Sequence, residues 1–231
     1  WRDFDRPDDG GWRLMRCCVV RHGETAWNAD RRLQGHQDIP LNELGLAQAE
    51  AAGRYLQHRH QTLPFVAVVS SDLIRARQTA GAVAAALALT VVHAPALRER
   101  HYGQFEGKTP DEAEAHAPED YAALVARDDL NSAPGDAEPL RVMQARIERC
   151  LTDLARQYPE GAVVIVTHGG VLDILYRRAM GRRLTGPRDA PIPNAGLNWL
   201  DIEVDGQGLC WTMVAWGQTD HLTGASRDEI L

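Results

Sequence analysis

Three short apolar segments, each followed at once by polar residues and a helix-forming stretch, restrict the fold of this 231-residue chain more than any other feature. They are MRCCVVR at 15–21, FVAVVSS at 65–71 and AVVIVTH at 162–168. Continuous apolar runs rich in β-branched residues are typical of strands buried on both faces, as in parallel sheets. Their alternation with helices predicts an α/β fold, a three-layer α/β/α sandwich around a mainly parallel central sheet.

Two alternating segments near the C-terminus, LNWLDIEV and LCWTMVAW, are joined by the turn DGQG and predict a hairpin. We therefore expect an antiparallel strand at the edge of the sheet. The hairpin carries Trp199 and Trp211, which the sequence assigns either to the core or to the surface of a homodimer.

The predicted boundaries are those of a single domain over residues 15–216 with flexible termini at 1–14 and 217–231. Residues 103–138 are polar and interrupted by proline, and they follow a segment rich in charged residues. Long polar connections of this kind often cover functional sites. We expect this segment to be a lid that selects the substrate.

Composition limits the classes of partner. The net charge of -7 and the absence of a basic cluster argue against nucleic acid. No apolar run reaches the roughly 18 residues of a membrane span. The four cysteines form neither a CxxC pair nor a secreted framework, so they are predicted to be buried thiols of a cytoplasmic protein. The expected partner is a small molecule.

Polar residues follow each predicted strand, and in an open parallel sheet ligands bind where the strands end. Arg21, His22 and Gly23 follow the first strand, Arg75 lies one turn into the helix after the second, and His168 follows the third. Two guanidinium groups beside helix N-termini suit a tetrahedral dianion such as phosphate. An imidazole between them should have a pKa below the ordinary ~6.5 and so remain a neutral nucleophile. Gly23 would let the backbone approach the phosphoryl group.

Five motifs in order resemble the histidine phosphatase superfamily, which includes cofactor-dependent phosphoglycerate mutases. They are RHGETAWN at 21–28, QG at 34–35, SSDLIRARQTA at 70–80, LRERHYGQFEG at 97–107 and VTHGG at 166–170. The resemblance implies that His22 is the phosphorylated nucleophile and Glu99 the proton donor, with Arg21, Arg75 and His168 on the transferred phosphoryl group. It also implies substrate-binding roles for Asn28, Gln34, Gly35, Arg100, Tyr102 and Gly169, and catalysis with no metal.

The chemistry of Glu99 agrees with that implied role. A carboxylate facing a phosphate dianion is pushed towards its protonated form, which suits a general acid for a leaving alkoxide. After the alcohol leaves, the same group can activate water against the phosphohistidine. The local sequence alone allows another interpretation, a salt bridge with Arg98 or Arg100.

Phosphatase and mutase share all these residues. LRERHYG is close to the mutase form LNERHYG, which favours a mutase that needs a bisphosphoglycerate primer. Against it, the mutases carry a longer insertion with paired arginines, whereas Arg127 is the only arginine between 108 and 139 here, and Gly170 in THGG is closer to the phosphatases. We therefore predict a phosphomonoester hydrolase with no cofactor.

The sequence also argues against two further classes of protein. A non-catalytic phosphate-binding member of the family would retain the arginines without turnover, but both histidines and Glu99 are present. A cysteine-based phosphatase would need a cysteine before a Gly-rich arginine loop. Cys17 and Cys18 lie inside the first predicted strand, so that class is excluded.

Overall fold

The computed structural model describes residues 13–127, 131–205 and 208–222, and within them six strands form one sheet. The strands are β1 (Arg13–Arg21), β2 (Phe65–Ser70), β3 (Val91–His93), β4 (Ala162–Thr167), β5 (Leu197–Asp205) and β6 (Gly208–Gln218). The helices are α1 (Ala26–Ala29), α2 (Glu43–His60), α3 (Ile74–Leu87), α4 (Pro110–His116), α5 (Pro118–Ala126), α6 (Leu140–Gln157) and α7 (Gly169–Ala179).

The strand order is β3-β2-β4-β1-β5-β6. The four strands from β3 to β1 are parallel, whereas β5 pairs antiparallel with both β1 and β6. The predicted α/β class, with a mainly parallel sheet and an antiparallel hairpin at its edge, is confirmed. Because β4 lies between β1 and β2, the three predicted buried strands are immediate neighbours.

The sheet is covered by helices on both faces. Side chains alternate along a strand, so Cys17 of β1 packs in the core with α6 and α7, and Cys18 packs in the core with α2 and α3. Burial raises the pKa of both thiols. The prediction of four buried thiols is wrong for Cys210, which is exposed, and Cys150 is only partly buried.

The two tryptophans of the hairpin lie in the core. Trp199 packs with the cluster on the α2 and α3 face, and its ring centroid is 6.2 Å from that of Phe65. Trp211 packs with the cluster on the opposite face. Of the two interpretations of this pair, the structure therefore supports the core.

The ordered chain extends beyond the predicted boundaries at both ends. β1 begins at Arg13 because the ladder with β5 continues through Arg13↔Val204 and Leu14↔Glu203. β6 ends at Gln218, and the ring of His221 packs against Tyr55 with 5.5 Å between centroids. The predicted domain boundaries stay a prediction, since most of both termini, 1–12 and 223–231, lies outside the described residues.

The helices α2 and α3 are capped in different ways. Asn42 caps α2, since its side-chain oxygen accepts the Gly45 N–H at 2.8 Å. No residue directly before α3 caps that helix with its side chain. Asp38, from a distant loop, accepts the Ile74 N–H at 2.5 Å. This cap depends on tertiary packing, so the residues next to the helix could not reveal it.

The segment 103–138 has a small core of its own. Besides α4 and α5 it contains two 3-10 turns, Gly103–Phe105 and Pro134–Asp136. Phe105, Tyr121 and Leu124 pack together at its centre.

Among the helices that the structure describes, none combines the length and the apolar character that a membrane span needs.

Candidate active site

The carboxyl ends of β1, β4 and β2 bring the residues predicted from distant motifs to one place. Arg21 pairs with Thr167 across β1 and β4, and Ser70 of β2 pairs with Val166. The rings of His22 and His168 lie 5.2 Å apart between centroids, at an angle of 58°. Arg21, His22, Arg75 and His168, all at most 3% exposed, are here called the histidine–arginine cluster.

His22 is held as a neutral imidazole with one nitrogen committed. Its Nδ1 lies 2.7 Å from the carbonyl oxygen of Gly23, to which only a protonated nitrogen can donate. Nε2 therefore carries the lone pair. The pKa of His22 is well below its ordinary value. Burial is the largest cause, and the positive charges of Arg75 and Arg21 lower the pKa further. The predicted direction agrees, but burial outweighs the arginines that the sequence argument used.

The backbone of His22 is fixed from two sides. Its N–H donates to the Thr167 carbonyl at 2.9 Å. Its own carbonyl accepts from the Asn194 side chain at 3.0 Å and from the Ala195 N–H at 3.2 Å. Asn194 is fully buried and was not identified from the sequence, because it lies in a loop far from every motif.

Gly23 is required for helix packing. A Cβ on Gly23 would stand 2.3 Å from the carbonyl oxygen of Gly45 in α2, and a Cβ on Gly45 would stand 2.0 Å from the Glu24 carbonyl oxygen. The Gly23 N–H donates to Thr79 in α3 at 3.0 Å. Close backbone contact with α2 is thus a reason for this glycine that the sequence did not reveal, and the expected approach to a phosphoryl group stays a prediction.

Arg75 connects the QG loop to the second histidine. Its Nη atoms donate to the carbonyls of Gly35 at 2.8 Å and Gln37 at 2.7 Å. Its Nε donates to Nδ1 of His168 at 3.2 Å. Arg21 is held by the Ile192 carbonyl, 2.5 Å from its Nη1. Both guanidinium groups are thus oriented before any ligand arrives.

His168 is the N-cap residue of α7 and contacts a serine that the predictions left out. Since Nδ1 accepts from Arg75, Nε2 carries the proton and donates to Ser71 Oγ at 2.8 Å. Burial lowers the pKa of His168 well below its ordinary value, and Arg75 and His22 lower it further. The position of Ser71 directly after β2 was the available signal for its role.

Glu99 is 3% exposed and reaches the N-terminus of α7. Its carboxylate accepts from the Arg100 N–H at 2.6 Å and from the Gly170 N–H at 3.0 Å. A Cβ at Gly170 would stand 2.2 Å from Glu99 Oε1, so this carboxylate position requires glycine there. The alternative salt bridge with Arg98 is not formed, because Arg98 pairs with Asp72 at 2.6 Å.

The predicted substrate-binding residues fall into two groups. Asn28, Gln34 and Gly35 lie beside the His22 loop, where Thr25 Oγ1 is 3.0 Å from Asn28 Oδ1 and 3.1 Å from Gln34 Oε1. Gly35 adopts a φ of +50° beside Glu106. Gly169 is buried as the first residue of α7. Arg100 and Tyr102 line a separate cavity instead.

This cavity has a volume of about 580 Å³ and borders the histidine–arginine cluster. Gly170, whose N–H binds Glu99, and Ile192, whose carbonyl binds Arg21, belong to its wall. Leu124, Val125 and Arg127 of the 103–138 segment form another part of the wall. The segment predicted to be a lid therefore does border the space next to the cluster.

Arg127 and Arg188 meet in the cavity wall, although they come from distant parts of the chain. Both are near the buried Asp173 of α7. Nη2 of Arg127 lies 2.7 Å from Oδ2 of Asp173, and Nε of Arg188 lies 3.7 Å from Oδ1. Arg177 binds the same carboxylate at 2.8 Å and the carbonyls of the loop that leads to Arg188. Neither Arg188 nor Asp173 was identified from the sequence, because no motif contains them.

No group of three His, Cys, Asp or Glu residues that could hold a metal ion occurs within residues 13–127, 131–205 and 208–222. The arrangement can instead do two things. It can bind a tetrahedral dianion through fixed guanidinium and imidazole groups. It can also offer that dianion an unprotonated imidazole nitrogen, with a carboxyl group close by. These are the features of an enzyme that transfers phosphoryl groups through histidine.

Comparison with known proteins defines the family. The model of the histidine phosphatase superfamily (branch 1) matches residues 17–219, so the chain belongs to this superfamily. It is 38% identical over 205 residues to Phosphoglycerate mutase-like protein 4 of Arabidopsis thaliana, covering 88% of this chain and 85% of that relative. It is 34% identical over 206 residues to the Metal-independent phosphoserine phosphatase of the same plant, covering 89% and 82%.

A solved structure agrees with this assignment. The mycobacterial glucosyl-3-phosphoglycerate phosphatase in complex with VO3 has a TM-score of 0.74 and 30% identity, with coverage of 88% of this chain and 99% of that one. Family, relatives and fold together make this chain an enzyme of the phosphatase and phosphoglycerate mutase type.

Proposed function

We propose that this enzyme hydrolyses small phosphomonoesters through a phosphohistidine formed on Nε2 of His22. The observation that carries the proposal is the state of that ring. Its Nδ1 is committed to the Gly23 carbonyl, its charged form is disfavoured by burial and by two arginines, and it faces His168. An unprotonated imidazole nitrogen held beside fixed cations can attack the phosphorus of a bound ester.

In the first half-reaction the bond from Nε2 to phosphorus forms while the bond from phosphorus to the ester oxygen breaks. Arg21 and Arg75 stabilise the charge on the non-bridging oxygens, and His168 contributes when its Nε2–H turns from Ser71 Oγ to a phosphoryl oxygen. Glu99, protonated beside the dianion, gives its proton to the departing alkoxide. In the second half-reaction Glu99 takes a proton from water and becomes protonated again. The water oxygen bonds to phosphorus while the bond from phosphorus to Nε2 breaks, which releases inorganic phosphate and frees His22.

The alcohol part of the substrate would occupy the cavity beside the cluster. Arg100, Arg127 and Arg188 in its wall favour a leaving group that carries an acidic function. The phosphatases to which the chain is similar are named for phosphoserine and glucosyl-3-phosphoglycerate, both of which carry a carboxylate. We therefore place phosphorylated small acids first among the candidate substrates.

A phosphoglycerate mutase activity is the second candidate, and one observation favours it. One part of the sequence argument against a mutase was that Arg127 is the only arginine between 108 and 139. Arg188 stands next to it in the cavity wall, so a pair of arginines is assembled from distant segments. Such a pair could grip the second acidic group of a bisphosphoglycerate primer.

Location and assembly are proposals of the same kind. We place the enzyme in the cytoplasm, because all four cysteines are free and two adjacent ones are buried in β1. A homodimer would have an available surface at β6, an edge strand of the sheet with Val214 exposed. Fractionation and sedimentation measurements test these two points.

A substrate panel tests the proposed activity. Hydrolysis of 3-phosphoglycerate, phosphoserine, sn-glycerol 3-phosphate and p-nitrophenyl phosphate is compared with interconversion of 2- and 3-phosphoglycerate, with and without 2,3-bisphosphoglycerate. We expect the acidic esters to be hydrolysed, and we expect hydrolysis of 3-phosphoglycerate to be faster than its interconversion with 2-phosphoglycerate. Interconversion that dominates in the presence of the primer would make the enzyme a mutase, and phosphate binding without turnover would make it a binding protein.

A further inference from the structure

The backbone that carries Glu99 belongs to neither a helix nor a strand. It runs between the 3-10 turn Pro95–Leu97 and the 3-10 turn Gly103–Phe105. Regular hydrogen bonding fixes the backbone at the ends of β1 and β4, where His22 and His168 lie, but does not reach this segment. Buried carbonyl groups here need other donors, and those donors decide where Glu99 stands.

Arg146 of α6 supplies these donors. Its Nη1 donates to the carbonyls of Ala96 at 2.7 Å and Arg98 at 2.8 Å, and its Nη2 donates to the carbonyl of Glu99 itself at 3.0 Å. One guanidinium group thus binds three carbonyls within four residues. The same Glu99 carbonyl lies 2.9 Å from Nε2 of His36.

Glu138 orients Arg146. Its two carboxylate oxygens accept from Nε and Nη2 of Arg146, each at 2.7 Å, a bidentate pair with fixed geometry. Both side chains are largely buried, with 20% and 13% exposed. Glu138 also binds the neighbouring segment through its backbone, since its carbonyl accepts from Arg100 Nε and its N–H donates to the His101 carbonyl, each at 2.8 Å.

We propose that Arg146, oriented by Glu138, is the positioning residue that holds Glu99 in line with the ester oxygen. The inference rests on the proposed function, in which Glu99 is the proton donor. The carboxylate itself is held by the N–H groups of Arg100 and Gly170. A shift of the Glu99 backbone would break this alignment, and small misplacements of a catalytic group are costly.

The test uses substrates that differ in their need for a proton. An alkyl phosphate such as sn-glycerol 3-phosphate must release a basic alkoxide, whereas p-nitrophenyl phosphate releases a phenolate that is stable without protonation. The readout is kcat/KM, which reports the steps up to release of the alcohol. In Arg146→Lys we expect it to fall about 10- to 100-fold for sn-glycerol 3-phosphate and by less than about threefold for p-nitrophenyl phosphate.

A double-mutant cycle separates positioning from general damage. Glu99→Gln should show the same preference with a larger amplitude, and Arg146→Lys should add little once Glu99 has been replaced, because the two residues act as a unit. Equal losses on both substrates, or full additivity with Glu99→Gln, would overturn the positioning role. If Glu99→Gln itself shows no dependence on the leaving group, the proton-donor assignment fails instead.

Matched variants guard against misfolding. Arg149→Gln removes an exposed guanidinium from the same helix and should leave both substrates unaffected. If Arg146→Lys does not fold, Glu138→Gln decides: it weakens the bidentate pair but leaves Arg146 able to reach the three carbonyls. We expect a loss of about three- to tenfold, again confined to the alkyl phosphate. No loss, or one shared by both substrates, would refute the proposal.

Discussion

The histidine–arginine cluster and the neighbouring cavity are built by different means. The cluster stands at the ends of three adjacent central strands, and each of its side chains is almost fully buried. The cavity wall comes from the segment of Arg100 and Tyr102, from α5, from the starts of α6 and α7, and from the loop that precedes β5. The difference teaches that the proposed reacting centre is fixed by the sheet itself, whereas the cavity proposed to hold the alcohol is lined mainly by residues outside the strands.

Replacement of His22, the proposed nucleophile, should affect every substrate alike. In His22→Ala we expect a loss of about 10⁴-fold or more in kcat for acidic, neutral and aryl phosphates, because no route around the phosphohistidine remains. Stopped assays with isotopically labelled substrate measure this, together with the acid-labile phosphohistidine. His58→Ala, at an exposed position on α2, serves as the control. Substantial residual turnover of any substrate would break the comparison, since catalysis would then not depend on the cluster.

A methyl group at the border of the two regions should disturb the proton donor. Gly170→Ala would place a Cβ 2.2 Å from Glu99 Oε1, so the carboxylate must move. We expect kcat/KM for alkyl phosphates to fall about 10- to 100-fold, with circular dichroism unchanged. In the control, Gly81→Ala, a Cβ on helix α3 meets nothing within 4 Å. Unaltered activity of Gly170→Ala would mean that Glu99 works from another position.

Loss of one arginine from the cavity should change selectivity and spare the chemistry. For Arg188→Gln we expect kcat/KM for 3-phosphoglycerate to fall about tenfold relative to p-nitrophenyl phosphate, because a charge-assisted contact with the carboxylate is lost. Arg183→Gln removes an exposed cation from the same loop and is the control. Parallel losses on both substrates would show that Arg188 supports the cluster, and the separation of the two regions would then be wrong.

The stability of the fold should depend on pH through the cluster and not through the cavity. The pKa values of His22 and His168 are lowered in the folded state, so below the ordinary histidine pKa the unfolded chain binds protons that the folded chain refuses. The free energy of unfolding should therefore fall as the pH drops below about 6.5, by up to about 1.4 kcal/mol per pH unit for each histidine.

Urea unfolding at pH 7.5 and 5.5 measures this dependence. His22→Asn should reduce the pH dependence, while Arg188→Gln should leave it intact. An unchanged slope in His22→Asn would mean that this ring accepts a proton in the folded state, contrary to its burial.

The sheet and the histidine–arginine cluster could be predicted from the sequence, because both depend on local patterns. Buried strands are visible as apolar runs, and the residues that follow them must meet once the strands are adjacent. What the sequence did not reveal depends on contacts between distant segments. Three contacts are of this kind. They are the cap of α3 by Asp38, the hydrogen bond from His168 to Ser71, and the placement of Arg127 and Arg188 beside the same carboxylate, Asp173.

The close contact of Gly23 with Gly45 has a consequence for how a ligand enters. Backbone meets backbone there with no side chain between, and the His22 carbonyl is bound from the opposite side by Asn194 and Ala195. The loop that carries His22 therefore cannot move towards α2 unless that helix moves as well. No ligand can therefore reach the ring of His22 by passing between this glycine pair.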